Sequence, residues 1–220
     1  NLGFERVSKP GYWWELDPSR RMLTLSPFHM TEKNLHSYVE KIREFEPKAI
    51  KGLPSTITVL SDFMQRHNLS PFSSVRVILC ESEMLYSWQR EIIESALSRR
   101  VFSCYGQFEG VVLAGECEES NELHVFPEYG VTEVIGRNGE QVKQEGKMGE
   151  IVGTSFTNYA MPFIRYRMGD IAVWTNKRCS CGRNYDLLKR IEGRESEFIV
   201  SKDGHLISTT AVPDSLFMFN

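Results

Sequence analysis

The chain has no apolar run approaching the roughly 20 residues that a membrane-spanning helix requires, so a transmembrane segment is excluded. Its basic residues never cluster beyond a pair, and the net charge is −3. Nucleic acid and anionic membrane surfaces are therefore not expected partners. The five cysteines are odd in number and irregularly spaced, which argues against a secreted disulfide framework. A reducing, cytoplasmic setting is expected, where thiols stay free or bind metal. There is no internal repeat and no low-complexity segment. The first residues, Asn1-Leu2-Gly3-Phe4, lack the pattern of a signal peptide and do not begin with Met, which fits a fragment or a processed chain. What is present is ordinary for a globular protein: 220 residues, 41% hydrophobic and 25% charged. Such a chain can bury a real core as one large domain or two small ones.

Tyr12-Trp13-Trp14-Glu15-Leu16 reads as a strand closed by a turn at Asp17-Pro18-Ser19. Thr31 opens a helix whose apolar stripe is Leu35, Val39, Ile42 and Phe45, and Pro47 ends it. Ala49-Ile50 starts a short strand, and Pro54 begins a helix burying Ile57, Leu60, Phe63 and Met64. Val75–Cys80 is a β-branched, buried strand. A helix over 86–99 follows, with Trp88, Ile92, Ile93 and Leu97 inward, and then the strand Val101–Cys104. Strand, helix and strand with short links predict a parallel sheet. After residue 110 the pattern changes to short strands between glycine turns, at 111–116, 122–126, 131–136, 149–156, 163–167 and 171–174. That grammar predicts an antiparallel, barrel-like subdomain. A last hairpin is expected around Asp203-Gly204.

Two segments carry chemistry. Tyr105-Gly106-Gln107-Phe108-Glu109 offers an aromatic wall, a glycine for close approach and a carboxylate for a metal, at the end of a strand. Arg165-Tyr166-Arg167-Met168-Gly169-Asp170 ends in a carboxylate able to accept two hydrogen bonds from a vicinal diol such as a ribose. Taken alone, each also fits an ordinary surface turn. Cys117, His124, Cys179 and Cys181 supply three sulfurs and one imidazole, a donor set that zinc favours. The Cys-x6-His and Cys-x-Cys spacing is equally open to unrelated thiols and a surface histidine. Cys80 and Cys104 end apolar strands and read as core residues. His29, His36, His67 and His205 show no pattern of a catalytic base. Trp13-Trp14 reads as core before substrate wall.

In order along the chain, Tyr105-Gly106-x-x-Glu109, Arg165–Asp170 and Gly193-Arg194-x-x-Glu197 resemble the adenylate-forming superfamily. The closer resemblance is to its phenylacetate–CoA ligase branch and that branch's relatives in capsular polysaccharide biosynthesis. Supporting segments are Phe45-Glu46-Pro47 with Pro54-Ser55, the turn Glu81-Ser82-Glu83, and Gly115-Glu116-Cys117 with His124. The resemblance implies that Glu81, Ser82, Glu83, Tyr105 and Gly106 lie near the nucleotide base and that Glu109 helps bind Mg²⁺. It implies that Asp170 takes the ribose hydroxyls, that Arg194 sits near the nucleotide, and that Glu197 is the hinge, where the family usually has Asp. Members of this branch carry the same Cys117, His124, Cys179 and Cys181 positions, and some bind zinc there.

The implied activity is activation of a small carboxylic acid by ATP and Mg²⁺, with the acyl group passed to a thiol of coenzyme A or to another acceptor. Residues 1–220 hold neither the family's Ser/Thr/Gly-rich phosphate loop nor its lid lysine. This implies a piece of a longer enzyme, inactive by itself. Met168 replaces the usual Thr or Ser, and Gln107-Phe108 replace small residues. The expected fold is α/β. Residues 1–110 form a partial parallel sheet with flanking helices, residues 111–190 the barrel-like subdomain with the zinc site, and residues 191–220 the hinge and the start of the lid. The alternative is a zinc-stabilised, non-catalytic module that binds a nucleotide or a protein.

Overall fold

Apolar residues three and four apart build the helices of the first half of the chain, and β-branched runs build the strands between them. The computed structural model describes Leu2, residues 13–200 and residues 206–208. No helix among these is long and apolar enough to cross a membrane. The chain divides into two compact units, Asn1–Tyr105 and Gly106–Asn220.

In the first unit a hairpin, β1 (Trp14–Asp17) and β2 (Met22–Leu25), turns at Asp17. The Asp17 carboxylate accepts the Ser19 N–H at 2.9 Å and the Ser19 hydroxyl at 2.6 Å, so the predicted turn is closed by a side chain. Helix α1 (Glu32–Phe45) buries Leu35, Tyr38, Val39 and Ile42. It ends at Glu46, whose left-handed φ of 51° lets its N–H return to the Ile42 carbonyl before Pro47. Strand β3 (Ala49–Gly52), helix α2 (Pro54–Arg66), strand β4 (Val77–Cys80), helix α3 (Ser87–Leu97) and strand β5 (Val101–Gly106) follow. The three strands pair in parallel in the order β3-β4-β5, as two βαβ units require. Ile57, Leu60, Phe63 and Met64 of α2 are fully buried in the core, together with Ile78, Ile93 and Val101. Trp88 departs from expectation. It is 54% exposed, and the inward face of α3 is Gln89, Ile93, Ala96 and Leu97. The helical period runs through residue 89, where the Gln89 side chain turns back to accept the Tyr86 N–H at 3.1 Å.

The second unit contains β6 (Leu113–Cys117), β7 (Ser120–Val125), β8 (Gly130–Ile135), β9 (Met148–Ser155), β10 (Tyr166–Thr175) and β11 (Leu187–Arg194). They pair antiparallel in the order β6-β7-β11-β10-β9-β8. Val111, just before β6, lies against the start of β8: a Cβ on Gly130 would sit 2.6 Å from the Val111 carbonyl. Only a glycine at position 130 permits that approach. The end of one expected strand, residues 166–167, and all of the other, 171–174, fall in the single strand β10, while residues 163–165 lie outside any strand. Its pairing with β9 is interrupted between Arg167 and Ile171, and its pairing with β11 begins at Asp170. Strand β11 was not foreseen, because its charged sequence Lys189-Arg190-Ile191-Glu192 hides the alternation. At the end of the described residues β12 (Phe198–Val200) pairs with β13 (Leu206–Ser208), as a hairpin requires. The expected turn at Asp203-Gly204 lies outside the described residues.

Between α1 and α2 an exposed network joins the helices. Arg66 donates to both oxygens of Glu32 at 2.9 Å, and His67 Nε2 lies 2.9 Å from the same carboxylate. The hydrogen bonds from Arg66, then from His67, hold the Glu32 carboxyl at about 2, below its ordinary 4.5. A depressed folded-state value stabilises the native state above pH 4.5, and that contribution disappears as pH falls toward about 2. Glu32→Gln is expected to flatten this part of the pH dependence. Urea midpoints measured between pH ~5 and ~2 should fall less steeply in the variant than in the parent chain.

Candidate metal centre and nucleotide-site residues

The most complete constellation is the sulfur–imidazole cluster. Cys117 closes β6 and His124 lies on β7, so a hairpin presents both. Cys179 and Cys181 come from residues 176–186, the irregular connection between β10 and β11. The four ligand atoms lie within 4.8 Å of one another. Cys117 Sγ is 3.6 Å from Cys179 Sγ, and Cys181 Sγ is 3.3 Å from His124 Nε2. A tetrahedral ion with sulfur at ~2.3 Å and nitrogen at ~2.0–2.1 Å would set edges of roughly 3.8 Å between sulfurs and roughly 3.5 Å from sulfur to nitrogen. The observed edges match those values to within a few tenths of an ångström. Cys117 and His124 are buried, and His124 Nδ1 has no hydrogen-bond partner in the structure.

The cluster already separates its thiols electrostatically. The Arg183 backbone N–H, with help from Cys179, His124 and the Arg183 side chain, brings Cys181 down to about 6. Cys179 accepts from the Cys181 backbone N–H, which lowers it, yet burial and the neighbouring Cys181 and Cys117 sulfurs push it up to about 11. Cys181 is thus favoured as a thiolate beside Cys179, which resists ionisation. The connection is also pinned by polar contacts. The Asn176 N–H donates to Glu145 at 2.6 Å, Lys177 pairs with Glu122 at 3.4 Å, and the Tyr185 hydroxyl donates to Glu128 at 2.6 Å.

In the first unit, the expected base-contacting residues sit at the carboxyl ends of adjacent parallel strands. β4 ends at Cys80, opposite Ser103 of β5, so Glu81-Ser82-Glu83 leave the sheet near Tyr105, which still belongs to β5. Ligands of open α/β sheets bind at that edge. Ser82 holds a left-handed φ of 68°. Glu81 pairs with Lys51 at 2.9 Å. Glu83 accepts from the Ser55 N–H and the Ser55 hydroxyl, both at 3.0 Å. Its carboxylate therefore caps the first turn of α2, where exposed N–H groups and the helix dipole favour negative charge. The Pro54-Ser55 segment was noticed in the sequence, but its link to Glu83 spans 28 residues and left no local signal.

In the second unit, every residue of Arg165–Asp170 is accounted for. Arg165 holds a left-handed φ of 48° and pairs through two bonds with Glu133 of β8, at 3.0 and 3.2 Å. The Tyr166 hydroxyl points to Glu109 at 3.4 Å, and Met168 lies against Gln107. Arg167 binds Glu150 of β9, with Nε to Oε2 at 2.7 Å. Asp170 is the cross-strand neighbour of Arg194, with 3.5 Å between Oδ1 and Nε. Asp170 lies within β10 and not, as the motif implied, in a loop at a strand end. Glu109 does lie in a turn, at residues 107–110, closed by the Gly110 N–H on the Gln107 carbonyl. Glu197 ends a short 3-10 turn after β11. Tyr166 and Glu150 were missed by sequence reasoning. The available signal for Glu150 was a lone acid beside the apolar run Ile151-Val152, since buried acids demand partners.

No protein-family model matches the chain. Curated relatives are shared along most of its length. A phenylacetate-coenzyme A ligase of Thermus thermophilus is 28% identical over 184 residues, 82% of this chain and 40% of that protein. Protein CapK of Staphylococcus aureus is 25% identical over 201 residues, 91% of this chain and 43% of that protein. The chain thus spans about 40% of the length of the relatives it matches. Among solved structures, an open conformation of 2-hydroxyisobutyryl-CoA ligase with 2-HIB-AMP and CoA aligns with a TM-score of 0.68 at 23% identity, over 84% of this chain and 45% of that one. The anthranilate CoA ligase AuaEII with anthranoyl-AMP aligns at 0.61 and 15% identity, over 84% and 37%. The fold is that of adenylate-forming CoA ligases. By sequence the chain is similar to phenylacetate-coenzyme A ligases and, separately, to protein CapK. Nothing in these comparisons supports the non-catalytic zinc module.

The Ser55–Glu83 contact yields a structural test. Glu83→Ala is expected to cost about 1 kcal/mol, the usual size of a lost helix cap. Urea unfolding with Ser55→Ala and the double variant should show coupling between the two positions.

Proposed function

We propose that the chain is the nucleotide-handling part of an ATP-dependent ligase that activates a small carboxylic acid as its adenylate and passes the acyl group to coenzyme A. The observation that carries this reading is the meeting of Asp170 with Arg194 across β10 and β11. Two motifs separated in sequence converge on one carboxylate, and the chain's relatives include phenylacetate-coenzyme A ligases. The solved ligase that holds an acyl-adenylate together with CoA supports the same sequence of steps.

In this reading Asp170 accepts both ribose hydroxyls, and its 14% exposure keeps those bonds largely out of water. Arg194, 70% exposed, swings between its Asp170 partner and the negative charge of the phosphates. Tyr105 packs on the base, with the backbone of Glu81-Ser82-Glu83 beside it, while Lys51 and Ser55 hold the two flanking carboxylates. Glu109 supplies an oxygen ligand, oriented by the Tyr166 hydroxyl. Bound Mg²⁺ would neutralise phosphate charge as the substrate carboxylate displaces pyrophosphate from the α-phosphorus. Zinc, held by Cys117, His124, Cys179 and Cys181, has a structural role. All four positions belong to the protein, so none is left open for a substrate. It ties the β6–β7 hairpin to the β10–β11 connection. The setting is cytoplasmic, where free thiols and coenzyme A coexist.

Two measurements test the reading. In the full-length protein, Asp170→Ala should raise the ATP KM by about 10-fold or more, the loss of a charged acceptor worth ~1.5–3 kcal/mol. Glu109→Gln should instead depress kcat, because metal placement matters most as charge builds on the phosphates. Pyrophosphate-release assays over a panel of aryl and alkyl acids separate the two effects, and a full-length protein without ATP affinity would refute the ligase reading. Independently, protein purified without chelator should contain one zinc per chain by elemental analysis. Cys181→Ser should lose the metal and lower the melting temperature, as for other structural zinc sites.

A further inference from the structure

We infer that Glu150 is the positioning residue that sets Asp170 in place for the nucleotide; this rests on the role proposed for Asp170. The argument begins with register. Arg167 of β10 lies opposite Val152 of β9, and Ile171 lies opposite Glu150. Strand β10 therefore takes four steps where β9 takes two, and Met168, Gly169 and Asp170 stand out of the β9 ladder as a bulge. A bulge left to itself has several backbone solutions. Here one buried side chain selects among them.

Glu150 is 8% exposed and is the only acid among the buried polar residues of the described chain. Its two oxygens divide between the ends of the bulge. Oε2 receives the Arg167 guanidinium through Nε at 2.7 Å and through a second, shorter contact from the other arm. Oε1 receives the Gly169 backbone N–H at 3.1 Å. Gly169 has a φ of +75°, a conformation that glycine adopts without strain, and that geometry turns its N–H toward β9. Asp170, the next residue, then faces Arg194 on the opposite neighbour strand. The carboxylate of Glu150 thus takes up the Gly169 N–H, which the β9 ladder does not. The aim of Asp170 depends on a residue that need not touch nucleotide.

The inference extends the proposed function, because it locates the origin of ribose selectivity in a buried clamp beneath the contact residue. Glu150→Leu removes both bonds. Glu150→Gln keeps a carbonyl oxygen for the Gly169 N–H and loses the charged partner of Arg167.

The test is binding of ATP and of 2′-deoxyATP to the full-length protein, read as the ratio of their dissociation constants. The parent protein should prefer ATP, and Asp170→Ala should abolish the preference. Glu150→Leu should reduce it about tenfold and Glu150→Gln about threefold, as expected for losing two bonds to an ionised group or one. Ile151→Val, a truncation at the neighbouring buried position, should lower the melting temperature and leave the ratio unchanged. If Glu150→Leu does not accumulate as folded protein, Glu150→Gln and Arg167→Met carry the same comparison. A folded Glu150 variant with the parental ratio, alongside an Asp170→Ala variant that has lost it, would overturn the inference alone. An Asp170→Ala variant with the parental ratio would overturn both the role of Asp170 and the inference built on it.

Discussion

Strand β10 carries two more residues than its partner β9 can pair with between Arg167 and Ile171, and the second unit is arranged around holding that excess. Unpaired backbone inside a sheet costs free energy unless other groups satisfy it. Here the Glu150 carboxylate does so for the Gly169 N–H, and side-chain pairs hold the segment from three directions. Glu133 of β8 receives Arg165, Glu150 of β9 receives Arg167 and the Gly169 N–H, and Arg194 of β11 faces Asp170. The residue types of this segment follow from that demand. The arginines answer buried or half-buried acids on neighbouring strands, and the glycine supplies the one backbone angle that the others cannot.

The same strand pair links the two chemistries of the unit. At one end of the β10–β11 ladder Asp170 pairs with Arg194; at the other Thr175 pairs with Leu187. The connection between those last two residues is the one that delivers Cys179 and Cys181 to Cys117 and His124. Small antiparallel units have little apolar mass, and a metal tie can fix a loop that packing alone would leave loose. A cluster that holds this connection also holds the return of β11, and with it the strand that carries Arg194. The sulfur cluster and Asp170 thus lie toward opposite ends of one strand pair, with no side chain common to both.

The first unit shows how few groups are needed to shape a strand-end edge. Glu83 satisfies the start of α2, Lys51 neutralises Glu81, and Ser82 takes the left-handed turn between them. The acids of this turn are thus committed to the scaffold, which leaves its backbone and the adjacent Tyr105 as the surface offered at the end of the sheet. The relatives of this chain are about twice its length, since 184 of its 220 residues match 40% of one of them, and the fold of its matched part is that of adenylate-forming CoA ligases.

Much of the local structure was legible in the residue order. The stripes Leu35–Val39–Ile42 and Ile57–Leu60–Phe63–Met64 named their helices, the β-branched runs named β4 and β5, and Cys117, His124, Cys179 and Cys181 were grouped by donor chemistry alone. These are periodic or compositional properties that a short window of sequence contains. The joining of residues 166–167 with 171–174 in one strand, the strand hidden in Leu187–Arg194, the outward turn of Trp88, the capping of α2 by Glu83 and the burial of Glu150 were decided by the tertiary structure. Each depends on which backbone lies alongside, and that neighbour is tens of residues away. A strand's period-two signal fades when both faces and both edges are occupied. A lone glutamate discloses its role only when the sheet brings an arginine and an unpaired N–H to its two oxygens.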